Sequence, residues 1–349
     1  MNYIGSKHSL LPFLENVWRE VRDGDERTAC DIFAGTGAVG RMFKRLGLRV
    51  IANDFQAYAY TLNKAYLGIN QSPRFARLRK AYEPILDEGA NFVERVLALL
   101  NRLEGSPGFI YENYGPAGNR FYYSADNAEK ADAIRQTIES WREQNLINEA
   151  EYFYLLTSLL EAIDQVANTA SVYGAFLKKF KPSALRPLTM KPLELCNHVK
   201  GCEVHQRDAN QLIREIECDV LYLDPPYNHR QYGANYHVLE TIAAYDNPQL
   251  SGVTGMRDYT RSRYCQSKFA AEALEDLIIQ ARTRHILLSY NDEGVLSLEE
   301  IKRILSLRGE PKTYQQPYNR FKADSGREYK RDATVEFVHY VRVIKSAVS

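Results

Sequence analysis

An open α/β sheet carrying an inserted block of helices is the fold class this sequence predicts, and three observations predict it. Short apolar runs end at or beside an acid at Asp31, Asp54, Asp208 and Asp224. A glycine turn, Phe33-Ala34-Gly35-Thr36-Gly37, joins the first of these runs to an amphipathic stretch. Between about 71 and 192 the apolar period becomes that of long helices. Open α/β sheets bind ligands at the carboxyl ends of their strands, so the recurring acids mark one expected edge.

In chain order, Met1 to Lys7 reads as a Gly-Ser turn carrying a lysine, and Leu10 to Trp18 as a helix. A strand through Cys30 and Asp31 enters the glycine turn, and a helix follows from about Ala38 to Leu46. Gly35 and Gly37 let the backbone approach a ligand closely, and Asp31 can accept from an amino group or hydroxyl. Leu48 to Ala52 is a second strand, and Asp54 at its end suits a ribose. Asp54 suits equally the cap of the helix running through Tyr58, Leu62 and Tyr66.

Helical periodicity then covers Phe92 to Leu103, Ala128 to Trp141 and Glu149 to Asn168. The aromatic and glycine-rich loop Tyr111 to Ser124, which holds Arg120, can either stack on bases or pack onto helices. From Ser171 to Leu193 the chain carries Lys178, Lys179, Lys181, Arg186 and Lys191 with no acid. Tyr173, Phe176 and Phe180 interleave with these cations, a pattern that favours nucleic acid.

Strands resume at Cys202 to His205, followed by Asp208, and at Cys218 to Leu223, followed by Asp224-Pro225-Pro226-Tyr227. Two successive prolines hold the Asp224 to Pro226 backbone rigidly and end the strand. Asn228 to His237, with Arg230, reads as a loop over the site, and His229 and His237 as surface hydrogen-bonders in preference to general bases. A helix at Ala270 to Arg282, a strand at His285 to Tyr290, a helix at Leu296 to Leu307 and strands near Pro311 to Pro317 and Thr334 to Val343 complete the expectation. Tyr318 to Arg327, with Arg320 and Lys322, reads as a cationic hairpin loop.

Composition narrows the function classes. The chain has 349 residues, is 45% hydrophobic and carries a formal net charge of +1, so any nucleic-acid contact must come from local basic patches. Five cysteines without paired spacing fit a reduced compartment, and no metal site is assigned. No apolar run approaches a membrane span, and the expectation is a soluble, cytoplasmic protein that would be nucleoid-associated if bacterial.

The order of these motifs resembles the DNA adenine-N6 methyltransferases of the Dam-like D12, or α, class. Tyr3-Ile4-Gly5-Ser6-Lys7 matches that family's N-terminal motif, Phe33 to Gly37 its glycine loop, 71–192 its target-recognition insertion and Asp224 to Tyr227 its catalytic tetrapeptide. The resemblance covers nearly the whole chain. Asn228 to Glu240 is further similar to modification enzymes of FokI-type restriction systems. The resemblance implies a Rossmann-like, S-adenosylmethionine-dependent methyltransferase domain from 1–70 and 193–349, with 71–192 a mainly helical recognition insertion.

It also implies roles. Asp31 and Ala34 to Gly37, including Thr36, would hold the methionine part of the cofactor, Tyr3 and Phe33 would also bind the cofactor, and Lys7 would lie between cofactor and target base. Asp54 would hold the ribose and Asp208 the adenine amino group, with Phe55 stacked on that ring. Asp224 and the Pro225 carbonyl would accept the hydrogens of a flipped adenine's amino group, and Tyr227 would stack on it. Arg120, Tyr173, Lys178, Lys179, Lys181, Arg230, Arg320 and Lys322 would meet double-stranded DNA. A cognate restriction endonuclease is the implied partner.

Three rivals stay open on sequence alone: an RNA adenine-N6 methyltransferase, a nicotinamide-dependent oxidoreductase and a DNA-binding module without catalysis. Gly35 to Gly40 meets the GxGxxG spacing of the second. Hydride transfer, however, has no need of Asp-Pro-Pro-Tyr.

Overall fold

The computed structural model describes residues 7–82, 91–196, 199–229, 231–319 and 333–344. They divide into two compact units, one drawn from 4–63, 198–233 and 260–349 and the other from 64–197 and 234–259.

The first unit is built on a seven-stranded sheet. Its strands are β1 (Thr28–Asp31), β2 (Arg49–Asn53), β3 (Glu203–His205), β4 (Val220–Leu223), β5 (His285–Asn291), β6 (Pro311–Asn319) and β7 (Ala333–Arg342), in the order β3-β2-β1-β4-β5-β7-β6. The first five are parallel, and β7 runs antiparallel to both β5 and β6. The order reverses between β1 and β4, which makes their carboxyl ends the topological switch point. In register, Asp31 lies opposite Ala52 on one side and Tyr222 on the other. The chain leaves β1, β2 and β4 side by side there.

Continuous apolar runs form the central strands because both faces of the sheet are covered. On one face Ile32, Leu221, Leu223, Ile286, Leu288 and Val341 form one core with Leu274, Leu277 and Ile278 of the helix Ser267–Gln280 and Ile301 and Ile304 of the helix Leu298–Leu305. The latter helix starts in a Ser297/Glu300 capping box. Helix α1 (Leu11–Val21) buries Leu14, Val17 and Trp18, and Trp18 stands edge-on to Phe43 of helix α2 (Ala38–Arg45) at 6.0 Å and to His285 at 5.4 Å. These elements agree with the expected ones to within a few residues.

The second unit is helical. Phe92–Arg102, Ala125–Glu143 and Glu149–Gln165 are its long helices, capped by Asn91, Ser124 and Asn148. The stretch 234–259 belongs to this unit, and it contains the helix His237–Ala244 and a tight hairpin bridged between Ser251 and Met256. The expected loop through His237 therefore carries helix at Tyr232–Asn235 and again from His237. Among the described residues no helix is long and apolar enough to cross a membrane.

Candidate active site

At the switch point the glycine turn is shaped by side chains from β2 and from helix α3 (Ala57–Tyr66). Gly35 and Gly37 have φ of 51° and 74°, left-handed values that favour glycine. Asn63 on α3 donates to the carbonyls of Gly35 and Ala59 at 2.9 and 2.8 Å. A Cβ on Gly37 would stand 2.4 Å from Asn63 Oδ1, so that position has room for hydrogen alone. Asn53, at the end of β2, donates to the Ile32 and Arg207 carbonyls and accepts from the Arg207 N–H.

Asp54 is half-buried and accepts from the N–H groups of Gly35 at 2.8 Å and Gln56 at 2.9 Å. Burial raises its carboxyl, and these amides oppose the rise. Phe55 beside it is 47% exposed. Asp208 is exposed and caps the short helix Ala209–Leu212 through the Gln211 N–H. Phe33 is half-buried, edge-on to Tyr264 at 4.9 Å. Ala34 is buried and Thr36 half-buried.

Asp31 is 1% exposed. Its Oδ2 accepts the Gly40 N–H at 3.0 Å, while Oδ1 has no hydrogen-bond partner among the described residues. Burial, reinforced by the charge of Asp224, pushes its carboxyl up to about 8. An unpartnered buried carboxylate oxygen is costly, and a cationic or N–H group placed there would remove the cost.

Asp224 follows β4 directly. Lys7, 4% exposed, puts Nζ 3.1 Å from Asp224 Oδ1, 3.5 Å from Glu336 Oε2 and 5.5 Å from the centre of the Tyr227 ring. The contact to Asp224 is an ion pair without hydrogen-bond alignment, so Oδ1 is left without an aligned donor among the described residues. Burial pushes the Asp224 carboxyl up to about 6 against the pull of Lys7. Lys7 remains charged: burial works against the ammonium, but Asp224, Tyr227, Glu336 and Tyr222 outweigh it and hold it well above the usual lysine range. Pro225 is buried and Pro226 half-buried. Tyr227 is half-buried, edge-on to Tyr290 at 5.6 Å, and its carbonyl accepts the Val295 N–H at 2.7 Å.

The structure therefore brings Lys7, Asp31, the glycine turn, Asp54 and the tetrapeptide to one edge of one sheet. Glu336 and Asn63 were not expected. Glu336 carried a signal, because it shares a strand face with Val338 and Tyr340, both buried, and a charge there calls for a partner. Asn63 lies within an ordinary helical run and carried none.

In the helical unit the residues expected at nucleic acid separate. Tyr173 is fully buried and donates its hydroxyl to Asp164 Oδ1 at 3.0 Å, so it supports the basic segment from beneath and cannot itself reach a ligand. Lys181 is also committed, with Nζ 2.7 Å from the Thr169 carbonyl. Lys178 and Lys179 are exposed. The Arg120 guanidinium donates to the carbonyls of Asn113, Gly252 and Val253, which fastens the Ser251–Met256 hairpin. Tyr122 and Tyr123 are buried, so packing is the role of much of that aromatic loop. His237 is buried between the carbonyls of Ala234 and Thr254 and depressed by burial, unlike the surface histidine expected. Tyr3, Arg230, Arg320 and Lys322 lie outside the described residues.

Comparison with known proteins follows the same lines. The family model for D12 class N6 adenine-specific DNA methyltransferases matches residues 3–304. The type II methyltransferase M.NlaIII of Neisseria lactamica is 45% identical over 348 residues, covering 97% of this chain and 98% of that protein. The type II methyltransferase M.FokI of Planomicrobium okeanokoites is 38% identical over 351 residues, covering 98% of this chain and 52% of that protein. The modification methylase StsI of Streptococcus sanguinis is 38% identical over 307 residues, covering 87% and 46%. The chain spans nearly all of the first relative and about half of the other two.

Proposed function

The chain belongs to the D12 class of N6 adenine-specific DNA methyltransferases, and on that premise we propose that it methylates an adenine flipped out of duplex DNA, with S-adenosylmethionine as donor, as the modification enzyme of a restriction system. One observation carries the reading. On adjacent strands at the switch point stand two carboxylate oxygens without an aligned donor, Asp31 Oδ1 and Asp224 Oδ1, which suit the methionine amino group of the cofactor and the amino group of the target adenine.

The donor set suits S-adenosylmethionine. Asp31 would take its amino group, 34–37 would lie along its methionine part, Asp54 would meet the ribose, Phe55 would stack on the adenine and Asp208 would meet that ring's amino group. Phe33 and Thr36 would complete the wall. When bound, the cofactor supplies an electrophilic methyl on a sulfonium.

An adenine amino nitrogen is a poor nucleophile, because its lone pair is delocalised into the ring. Asp224 Oδ1 and the Pro225 carbonyl each accept one of its hydrogens, which draws the nitrogen toward tetrahedral geometry and stabilises the positive charge that grows on it. Tyr227 offers its ring to the base. Flipping costs a few kcal/mol, recovered in stacking and hydrogen bonds. The extra proton leaves after methyl transfer, and neither a histidine base nor a covalent intermediate is needed. Lys178 and Lys179, both exposed, would meet phosphates, and 71–192 would be the recognition insertion. A restriction endonuclease of the same specificity is the partner it implies.

The test is expression in a host lacking adenine methylation, followed by sequencing that detects N6-methyladenine. Methylation at one recurring sequence is expected. Methyl transfer by the purified protein to RNA alone, or to neither nucleic acid, would refute it.

A further inference from the structure

The buried charges behind Asp224 do not balance as a simple pair. Lys7 Nζ makes its aligned hydrogen bond, at 3.5 Å, to Glu336 Oε2, while its nearer contact, 3.1 Å from Asp224 Oδ1, is unaligned. Lys7 and Glu336 are 4% and 5% exposed, so water does little to screen either. Glu336 sits on β7 opposite Asn291 of β5.

We propose that Glu336 is a positioning residue for methyl transfer: it turns the Lys7 ammonium out of hydrogen-bond alignment with Asp224, so that Lys7 offsets the buried carboxylates without satisfying the oxygen that receives the adenine amino hydrogen. This rests on the role given to Asp224 above. Two carboxylates and one ammonium sum to a net charge of −1, the sign that favours a nitrogen gaining positive charge. With Glu336 neutral, Lys7 has one carboxylate left to approach. It then closes on Asp224, occupies the acceptor and lowers its basicity.

The groups around the Asp224 and Lys7 pair are Asp31 on β1, Tyr222 on β4, Tyr227 after β4, which faces Lys7, and Glu336 on β7, with Asp292 behind Glu336. Of these, Glu336 raises Asp224 and Lys7 lowers it. Loss of the Glu336 charge therefore acts downward twice, by removing repulsion and by tightening the Lys7 pair.

The test uses Glu336→Gln, which keeps shape and hydrogen-bonding capacity, with Glu336→Asp as the charge-retaining control. The carboxyl carbon of Asp224 is titrated by 13C NMR in the DNA-free protein, and single-turnover methylation is measured separately. In Glu336→Gln the Asp224 midpoint should fall by about one pH unit. Its methylation rate should fall about tenfold or more, with cofactor affinity unchanged within about twofold. Glu336→Asp should titrate within about 0.3 units of the parent and keep turnover within about threefold. A midpoint that stays put or rises in Glu336→Gln overturns the proposal. If that variant cannot be folded, a tenfold loss in Glu336→Asp overturns it instead. Because the titration needs no DNA, failure of the parent protein to methylate would refute the functional reading alone.

Discussion

Asp31 offers a measurement that reaches the proposed cofactor site without chemistry. Its carboxyl, pushed up to about 8 by burial and by Asp224, is at pH 7 about nine-tenths protonated in the free protein. An ammonium group at Oδ1 would ionise it, so cofactor binding should release about 0.9 proton at pH 7 and about half a proton at pH 8. Calorimetry in buffers of different ionisation enthalpy counts these protons directly.

Asp31→Asn should bring the release near zero at pH 7. It should also weaken binding about 10- to 100-fold, the worth of one charge-assisted hydrogen bond of about 1.5–3 kcal/mol. The linkage has a matching sign. The folded value lies above the ordinary 3.8, so the contribution of Asp31 to stability is fully present below that pH and is lost as pH rises toward about 8. Cofactor should offset the loss. Binding at pH 7 with no proton release beyond that of Asp31→Asn would refute the assignment.

Two further outcomes follow from the geometry. Gly37→Ala puts a Cβ 2.4 Å from Asn63 Oδ1 at a left-handed φ of 74°, a conformation that alone costs about 1–2 kcal/mol, and should weaken cofactor binding about tenfold or more. Unchanged affinity by calorimetry would show that the turn does not touch the cofactor. Replacing Lys178 and Lys179 together by alanine should lower the slope of log affinity against log salt by about two in DNA-binding titrations, with the melting temperature preserved. An unaltered slope would remove the basic segment from the DNA interface.

The fold was legible because its signals are local. Apolar runs of strand length, a glycine turn and caps such as Ser297 with Glu300 each lie within a few residues of what they control. The candidate site was legible where the same holds, since Asp31, Asp54 and Asp224 each stand at or directly after a strand, as expected. What escaped depends on distant neighbours. Glu336 meets Lys7 across 329 positions, and Arg120 fastens carbonyls more than 130 positions away. Tyr173 illustrates the opposite error: among lysines it reads as a surface aromatic, yet the hydrogen bond to Asp164 and packing near Tyr122 bury it. Composition tells which residue types are near in sequence, and burial decides which of them reach a ligand.

On the proposed mechanism Asp224 receives the amino group of the target adenine and takes no part in holding the cofactor. The most direct test is Asp224→Ala, with methyl transfer to DNA and cofactor affinity measured on the same preparation. Removal of one such acceptor should cut the methylation rate about 100- to 1,000-fold or more. Cofactor affinity should stay within about threefold. Retained methylation, or loss of cofactor binding in proportion to loss of rate, would contradict the account.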